Sequence, residues 1–240
     1  MKEKNTQIAL ITGATRGIGL AVTSMLAAQG YRLLLVSRTE AALEKLKHRL
    51  EKEHAGLEVS VMAADLSTLP GIQSTVEWAE GFRPDVLVLC AGVFRPVSLL
   101  DEPVEDFLPQ FYLNYYAAHV LSICAGRQMA LRKRGHLFIL SSTASRDPVP
   151  AGTYTVTKFS LRGLITVLRE ELRVNGVKVT EVIPGSTLTS SWEGTELPAD
   201  HFVQPEEIAS AILLCLQMST GTNVEELIIK PQKGNVVTKT

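Results

Sequence analysis

The chain has 240 residues, 45% of them hydrophobic, and its 24 Lys plus Arg against 25 Asp plus Glu give a formal net charge of −1 at pH 7. This length can bury a large core without disulfides or metal. The balanced charge argues against a nucleic-acid partner, and no apolar run has the length of a membrane span. The cysteines and histidines show no metal-ligand spacing, which is typical of a metal-free cytoplasmic protein with reduced thiols.

Short apolar runs alternate with longer helical patterns along the chain. The predicted strands are Ile8–Thr12, Arg32–Ser37, Glu58–Ala63, Val86–Cys90, His136–Ser141, Lys178–Ile183 and Glu226–Ile229. The predicted helices are Gly17–Gln29, Glu40–Glu53, Leu69–Glu80, Val104–Met129, Tyr154–Val174 and Pro205–Gln217. Most of the strands are apolar on both faces, as parallel strands covered by helices are. The alternation predicts a single NAD(P)-binding α/β domain over residues 1–240, with a doubly wound, seven-stranded parallel sheet of the Rossmann type.

A glycine-rich segment, Thr12-Gly13-Ala14-Thr15-Arg16-Gly17-Ile18-Gly19, separates the first predicted strand from the first predicted helix. Glycines permit a tight turn there and let backbone N–H groups approach a pyrophosphate at the helix N-terminus, where the dipole favours negative charge. Three glycines also occur in ordinary loops, but their position at the head of a strand–helix series favours dinucleotide binding. The predicted contacts of this turn are Gly13, Thr15, Arg16, Gly17, Ile18 and Gly19.

The end of the second predicted strand indicates which dinucleotide is bound. Sites that prefer NAD place an acidic residue here to accept hydrogen bonds from the ribose 2′-hydroxyl. This chain has Ser37 followed by Arg38, and a guanidinium pairs with a 2′-phosphate that a carboxylate would repel. Arg16 can reach the same phosphate, although both arginines could also be solvated surface charges. Together with the missing acid, they predict NADP(H) as the cofactor.

Tyr154 and Lys158 form a YxxxK pattern at the start of the fifth predicted helix. A spacing of four residues places the two side chains on one helical face, one turn apart. A free tyrosine has a pKa near 10 and is a poor base, so we expect the lysine, with an oxidised nicotinamide, to favour the phenolate. Upstream, Ser141-Ser142 ends the fifth predicted strand, where a hydroxyl can stabilise charge developing on a substrate oxygen.

The TGxxxGxG spacing of the glycine turn resembles the cofactor signature of the short-chain dehydrogenase/reductase family, and the motifs of that family follow in order from about residue 7 to residue 230. The resemblance implies a catalytic set of Asn114, Ser142, Tyr154 and Lys158. It assigns the serine role to the second residue of the pair, Ser142. Ser141 remains the alternative, because the loop down to Tyr154 looks about one residue shorter than usual.

The resemblance also implies further cofactor contacts. An aspartate after the third strand contacts the adenine edge in the family, so Asp65, with Leu66 beside it, is expected to do so or to cap the next helix. Cys90-Ala91-Gly92 stands where the family has an asparagine before Ala-Gly, so Cys90 departs from the pattern and the hydrogen bonds of that asparagine must come from elsewhere. The family's PGxxxT segment is matched by Pro184, Gly185, Thr187 and Thr189, which are expected to contact the nicotinamide carboxamide.

The sequence therefore predicts an NADP(H)-dependent oxidoreductase acting on a carbonyl or alcohol, assembled as a homodimer or homotetramer through the two longest helices. A non-catalytic NADP(H) sensor or scaffold and a cofactor-dependent isomerase or epimerase are the alternatives. Loops at Val93–Leu100, Ser145–Thr153 and Ser186–Gln204 are expected to line the substrate pocket, the last as a candidate lid. Phe94, Trp192, Leu197 and Phe202 would make the pocket partly apolar. A 3-oxoacyl thioester, a small hydroxy acid or ketone, and a pteridine or xenobiotic carbonyl compound all fit as substrates.

Overall fold

The computed structural model describes residues 7–236. One sheet contains seven strands in the order β3-β2-β1-β4-β5-β6-β7, with every neighbouring pair parallel. The strands are β1 (Ile8–Thr12), β2 (Arg32–Ser37), β3 (Val59–Ala63), β4 (Val86–Leu89), β5 (Gly135–Leu140), β6 (Val177–Pro184) and β7 (Glu226–Ile229). The predicted doubly wound, seven-stranded parallel sheet is confirmed.

Helices cover both faces of the sheet, so the core is divided into two layers. The helices are α1 (Gly17–Ala28), α2 (Glu40–Glu53), α3 (Leu69–Glu80), α4 (Phe107–Phe111), α5 (Ala117–Arg132), α6 (Gly152–Arg173) and α7 (Pro205–Gln217). One apolar cluster joins the sheet to α1, α2 and α7, and the other joins it to α3, α5 and α6. Within residues 7–236, no helix is both long and apolar enough to cross a bilayer.

The chain direction across the sheet reverses at β1, which pairs with β2 on one side and β4 on the other. The connections after β1 and β4 therefore lead away from each other and leave a crevice beyond the carboxyl ends of these two strands. The glycine-rich turn after β1 and the Ala91-Gly92 segment after β4 both lie at this point. The fold thus brings two of the predicted cofactor segments together.

The predicted helix Val104–Met129 is helical throughout in the structure, but it is not α-helical along its whole length. A 3-10 turn at Val104–Asp106 leads into α4, a π-helical turn follows at Tyr112–Tyr116, and only then does α5 begin. A π turn takes one extra residue into the helix, so apolar spacing at the α-helical period does not reveal it. Other predicted boundaries differ by one or two residues; for example, Cys90 and Ser141 lie just beyond the strands to which they were assigned.

The candidate lid Ser186–Gln204 has little regular structure. It contains two short 3-10 turns, at Ser190–Trp192 and Ala199–His201, and a single parallel bridge joins Thr187 to Val203 near its two ends. The bridge closes the segment into a loop beside the end of β6. This position places Trp192 over the cleft described below.

Candidate active site

A cleft of about 690 Å³ lies beyond the carboxyl ends of the strands. Its lining includes three of the four predicted catalytic residues, Ser142, Tyr154 and Lys158, and nearly all predicted cofactor contacts. These contacts are Gly13, Thr15, Arg16, Gly17, Ile18, Gly19, Ser37, Arg38, Leu66, Cys90, Ala91, Gly92, Pro184, Gly185, Thr187 and Thr189. Asp65 is exposed and does not line the cleft. Its carboxylate instead accepts hydrogen bonds from the Ser67 hydroxyl (2.7 Å) and the Ser67 N–H (2.9 Å), which lower the pKa of Asp65.

Close backbone approach explains the glycine spacing of the first turn. Gly13 has a φ of +67°, and a Cβ there would lie 3.0 Å from the Ala91 nitrogen. At Gly19 a Cβ would lie 2.1 Å from the Gly13 carbonyl oxygen, a distance that no side chain tolerates. Arg16 is the N-cap residue of α1 and makes no side-chain capping hydrogen bond. The N–H groups that begin α1 therefore remain available to an anion in the cleft.

The adenosine end of the cleft carries two arginines and no acidic residue at the end of β2. Ser37 is hydrogen-bonded to Thr15 through their hydroxyl oxygens, which lie 2.8 Å apart. Arg16 and Arg38 are exposed and line the cleft, and within residues 7–236 neither is found in an ion pair. The arrangement is suited to a phosphate that bridges two guanidinium groups.

A hydrogen bond beside Cys90 joins the ends of β1 and β4. The Thr12 hydroxyl at the end of β1 accepts a hydrogen bond from the Ala91 N–H (3.2 Å), so a β1 side chain holds the β4 segment in place. Burial raises the pKa of the Cys90 thiol to about 12, against the opposing charge of Lys158. A thiol that stays protonated at neutral pH is a poor nucleophile, so Cys90 is a structural residue.

Ser142, Tyr154 and Lys158 converge at the inner end of the cleft. The loop after β5 carries Ser142, whose hydroxyl oxygen accepts a hydrogen bond from the Ala144 N–H (3.1 Å) and is hydrogen-bonded to Tyr154. Tyr154 and Lys158 lie on the first turns of α6, with the Lys158 Nζ 5.5 Å from the centre of the Tyr154 ring. Lys158 is buried and donates a hydrogen bond to the Leu140 carbonyl (3.0 Å) at the end of β5.

Burial changes the pKa of both Tyr154 and Lys158. Burial raises the pKa of Tyr154 above its ordinary value, and the hydrogen bond with Ser142 only partly opposes this. Burial also lowers the pKa of Lys158 to about 8, although Cys90 and Glu181 act in the opposite direction. The lowering of the Tyr154 pKa that is expected from Lys158 together with an oxidised nicotinamide stays a prediction, and in the protein alone burial is the larger influence. At neutral pH the pair is a neutral phenol beside an ammonium group.

Asn114 lies behind the cleft, at the centre of the π-helical turn, and is 2% exposed. Its side-chain oxygen accepts a hydrogen bond from the Val93 N–H (2.8 Å), and its amide group donates to the Val93 carbonyl (3.0 Å). A Cβ at Gly92 would lie 3.3 Å from the Asn114 side-chain oxygen and 4.0 Å from the Lys158 Nζ. The Asn114 side chain thus holds the Gly92–Val93 segment, which follows β4 and passes between Asn114 and Lys158.

The substrate side of the cleft is formed by aromatic and apolar side chains. The Phe94 ring makes an edge contact with the Tyr154 ring at a centroid distance of 5.0 Å, and Trp192 lies 6.3 Å from Phe94. Two expected lining residues are absent from the wall: Leu197 is exposed away from the cleft, and Phe202 is buried behind Trp192 at 5.1 Å. Phe202 cannot line the cleft because Trp192 covers it.

A family model described as short chain dehydrogenase matches residues 7–198. The chain belongs to the short-chain dehydrogenase family. This confirms the resemblance seen in the motifs and the expectation of an oxidoreductase.

Relatives of this short-chain dehydrogenase carry the names of different reductases. The chain is 31% identical to a sepiapterin reductase of Chlorobaculum tepidum, over 95% of this chain and 98% of the relative. It is 29% identical to the glycine betaine reductase ATRR of Emericella nidulans over 94% of this chain, but it spans only 19% of that protein.

Solved structures agree with the same fold. An alcohol dehydrogenase from the archaeon Thermococcus sibiricus, complexed with 5-hydroxy-NADP, has a TM-score of 0.86 and 27% identity, with 98% of this chain and 100% of that chain covered. A metagenomic short-chain oxidoreductase in complex with NADP has a TM-score of 0.81 and 30% identity, with 94% and 97% covered.

Two residues that line the dehydrogenase cleft were not predicted from the sequence. Asn235 and Val236, near the end of the described chain, line the cleft beside the Pro184-Gly185 turn. The Asn235 amide donates to the Thr143 hydroxyl (3.1 Å), and its side-chain oxygen accepts from the Ser186 N–H (3.2 Å). Asn235 thereby joins the serine loop to the start of the lid. No motif in the sequence indicates this contact, since it depends on how the terminal segment folds back.

Proposed function

We propose that this short-chain dehydrogenase uses NADP(H) to interconvert a carbonyl and an alcohol, working mainly as a carbonyl reductase in the cytoplasm. The observation that carries the proposal is the convergence of Ser142, Tyr154 and Lys158 at the inner end of a cleft whose other end holds Arg16 and Arg38. The solved relatives that contain NADP or 5-hydroxy-NADP support the same cofactor.

The residues of the cleft fit NADP(H). Gly13, Gly17 and Gly19 leave the space that a pyrophosphate needs, and a Cβ at Gly17 would lie 3.0 Å from the Thr189 side chain. Arg16 and Arg38 would hold the 2′-phosphate, and Pro184 to Thr189 would hold the nicotinamide. When bound, the nicotinamide would supply the hydride. The role of the protein is to orient the ring and the substrate, exclude water and deliver a proton.

Tyr154 would act as the general acid in the reductive direction. Its raised pKa keeps the phenol protonated at neutral pH, so a proton is available for the oxygen of the substrate when hydride reaches the carbon. The Ser142 hydroxyl would donate a hydrogen bond to the same oxygen and stabilise the charge that develops there. Lys158, with a pKa of about 8, would be mainly protonated and would hold the nicotinamide ribose. Asn114 would position the Val93 backbone beside it and support proton relay from Lys158.

The aromatic wall favours apolar substrates. Phe94 packs against the Tyr154 ring and Trp192 lies beside Phe94. The charged side chains on this side, Arg95 and Asp106, form an ion pair of 2.5 Å with each other. No unpaired cation is therefore presented to a substrate carboxylate by this pair. We infer that the substrate is a ketone or aldehyde with an apolar or ring-bearing substituent, which includes pteridine and xenobiotic carbonyl compounds. The likeness to a sepiapterin reductase is in keeping with this class.

The test is a panel of carbonyl compounds incubated with the purified protein and NADPH carrying deuterium at the transferable position. A reductase gives loss of the NADPH absorbance together with an alcohol that contains deuterium at the former carbonyl carbon. An isomerase or epimerase would give a changed substrate with no net oxidation of NADPH. A sensor or scaffold would bind NADPH and change nothing in the panel, and either result would contradict the proposal.

A further inference from the structure

A buried carboxylate lies beneath the catalytic residues and has no part in the chemistry described so far. Glu181, on β6, is 2% exposed. Its register partner on β5 is Ile139, and Val179, two residues earlier on the same face, belongs to the apolar cluster beneath α6. An ionised carboxylate in apolar surroundings is strongly destabilising unless other groups compensate it. The position therefore needs a reason beyond packing.

The hydroxyl of Ser145 connects Glu181 to the serine loop. Ser145 Oγ lies 3.3 Å from the Glu181 carboxylate and 2.7 Å from the Ser142 carbonyl oxygen, so its proton is shared between two acceptors. The Ser145 N–H also donates to the Ser142 carbonyl (2.9 Å). Ser145 thus closes the short turn on which Ser142 is presented, and Glu181 restrains the orientation of its hydroxyl.

The same carboxylate lies near Lys158, because its register partner Ile139 directly precedes Leu140, whose carbonyl accepts the hydrogen bond from Lys158. Burial lowers the pKa of Lys158 to about 8, and Cys90 and Glu181 oppose this. The Cys90 thiol, with its pKa of about 12, is neutral at physiological pH. The Leu140 carbonyl that Lys158 contacts carries no net charge either. Glu181 is therefore the source of negative charge that favours the ammonium form of Lys158.

We propose that Glu181 is a positioning residue for the reaction: it is the buried counter-charge of Lys158 and, through Ser145, it steadies the turn that presents Ser142. The inference rests on the proposed function and names a residue outside the four expected from the family. It assigns Glu181 no contact with substrate or cofactor. Its effect passes through Lys158 and Ser142.

The polar and ionisable groups around Glu181 come from four parts of the fold. Lys158 and Tyr154 come from α6, Cys90 from the end of β4, Ser145 from the turn after β5, and Glu226 from β7. Glu226 is the register partner of Glu181, but it is ion-paired with Arg146 at 2.5 Å and is partly exposed. The charge of Glu226 is thereby balanced locally, which leaves Glu181 as the partner of the lysine.

Glu181→Gln separates charge from hydrogen bonding, because the amide oxygen can still accept from Ser145. With saturating NADPH, kcat/KM of the wild type should fall at high pH as Lys158 loses its proton. This fall is the basic limb of the pH profile. Loss of the counter-charge makes that proton easier to lose, so the basic limb of Glu181→Gln should move down by about one pH unit. Glu171→Gln removes one exposed carboxylate from α6, the same helix, and should leave the limb in place.

Ser145→Ala gives the complementary result. It keeps the charge of Glu181 but removes the hydroxyl that closes the Ser142 turn. We expect kcat to fall about three- to tenfold, as for the loss of one hydrogen bond, with the basic limb unmoved. A basic limb that is the same in Glu181→Gln and the wild type, or full kcat in Ser145→Ala, would overturn the corresponding half of the proposal.

A second readout needs no turnover. In protein labelled with isotope-enriched lysine, the NMR signal of Lys158, assigned by its absence in Lys158→Arg, reports the ionisation of its amino group directly. In Glu181→Gln this signal should titrate at lower pH than in the wild type, and an unchanged titration would contradict the counter-charge. If the wild type reduced no carbonyl compound at all, the proposed function would fail while the NMR titration still decided the role of Glu181.

Discussion

At the scale of single residues, we expect the end of β2 to determine the preference between the two dinucleotides. Ser37 offers no carboxylate to a free 2′-hydroxyl, and its hydroxyl is held by Thr15 at 2.8 Å. Arg38 lies close enough to Asp65 for its charge to lower the pKa of that carboxyl, yet no ion pair forms within the described residues. Its guanidinium therefore remains available for a phosphate, as does that of Arg16.

Arg38→Asp should weaken NADPH binding and improve NADH binding. One charge-assisted hydrogen bond contributes about 1.5–3 kcal/mol, so losing it should raise the Kd for NADPH roughly tenfold to a hundredfold. The new carboxylate adds repulsion of the 2′-phosphate and an acceptor for the 2′-hydroxyl of NADH. Fluorescence titration with each cofactor measures both effects. Arg49→Asp, on the exposed face of α2, is the control for charge and should change neither Kd. Unchanged NADPH affinity in Arg38→Asp would show that Arg38 points elsewhere.

Residues with a motif around them could be placed from the sequence, and residues without one could not. Tyr154 and Lys158 are predictable because their spacing has a chemical reason on a helix. Glu181 is one of three polar residues in β6 and belongs to no motif, and only the pairing of β6 with β5 shows that it lies near Lys158. Asn235 could not be predicted either, because its contacts with Thr143 and Ser186 join residues that lie about 50 or more positions apart in the chain.

At the scale of elements, the start of α6 is fixed by a residue from a distant loop. The Glu102 carboxylate accepts hydrogen bonds from the Thr153 N–H (3.0 Å) in the first turn of α6 and from the Gln110 amide (2.6 Å) on α4. A carboxylate at a helix N-terminus is favoured by the helix dipole. The helix therefore begins at Gly152, two residues before the predicted start at Tyr154. Glu102 thus also fixes where the catalytic tyrosine stands.

The π-helical turn is the element that brings Asn114 inward, and its function can be tested by removing that side chain. Asn114→Ala leaves the buried N–H and C=O of Val93 without the partners that they have at 2.8 and 3.0 Å. The free energy of unfolding should fall by about 1–3 kcal/mol. The KM for the carbonyl substrate should also rise, because Phe94 follows Val93 directly. Chemical denaturation and steady-state kinetics measure the two effects.

The matched control is Asn175→Ala at the end of α6, where the amide contact with Glu171 is long at 3.4 Å and mostly exposed. Its effect should be within about 0.5 kcal/mol. Equal stability losses in the two variants would mean that Asn114 has no special part in holding the loop.

Helices and strands could be predicted where the spacing of apolar residues repeats regularly, and their details could not be predicted where the helix geometry changes. Strands β1, β2 and β7 and helices α2, α3 and α7 have the predicted bounds. Strands β1 and β2 are buried apolar runs, and capping side chains mark the starts of α3 and α7. The break at Tyr112–Tyr116 could not be seen, since an extra residue in one turn leaves the apolar composition unchanged.

At the scale of the whole molecule, the adjacent helices α4 and α6 offer an apolar surface that residues 7–236 do not cover. Phe107 and Leu108 on α4 and Val156, Phe159 and Val167 on α6 are each at least 40% exposed. Leu161, Ile165 and Leu168, which also suggested an interface in the sequence, instead pack in the core beneath α6. The surface that remains for a partner is therefore narrower than predicted.

We expect a homodimer or homotetramer that uses this surface, because exposed apolar side chains on two adjacent helices favour a closed symmetric contact. Light scattering coupled to gel filtration should report an oligomer at micromolar concentration. Phe159→Glu should shift the protein toward monomer by placing a charge in the contact. Leu69→Glu, which changes an equally exposed apolar residue on α3, should not. A wild type that is monomeric under these conditions would refute the assembly.

The central claim is that the phenol of Tyr154 supplies the proton for NADPH-dependent carbonyl reduction, and Tyr154→Phe tests it most directly. The substitution removes one oxygen, keeps the ring packed against Phe94 and leaves Lys158 in place. We predict a fall in kcat of about 10²–10⁴-fold with the Kd for NADPH almost unchanged, since only the transferable proton is lost. Tyr116→Phe, outside the cleft, should keep full activity. A Tyr154→Phe enzyme that retained more than about a third of the wild-type kcat would contradict the account.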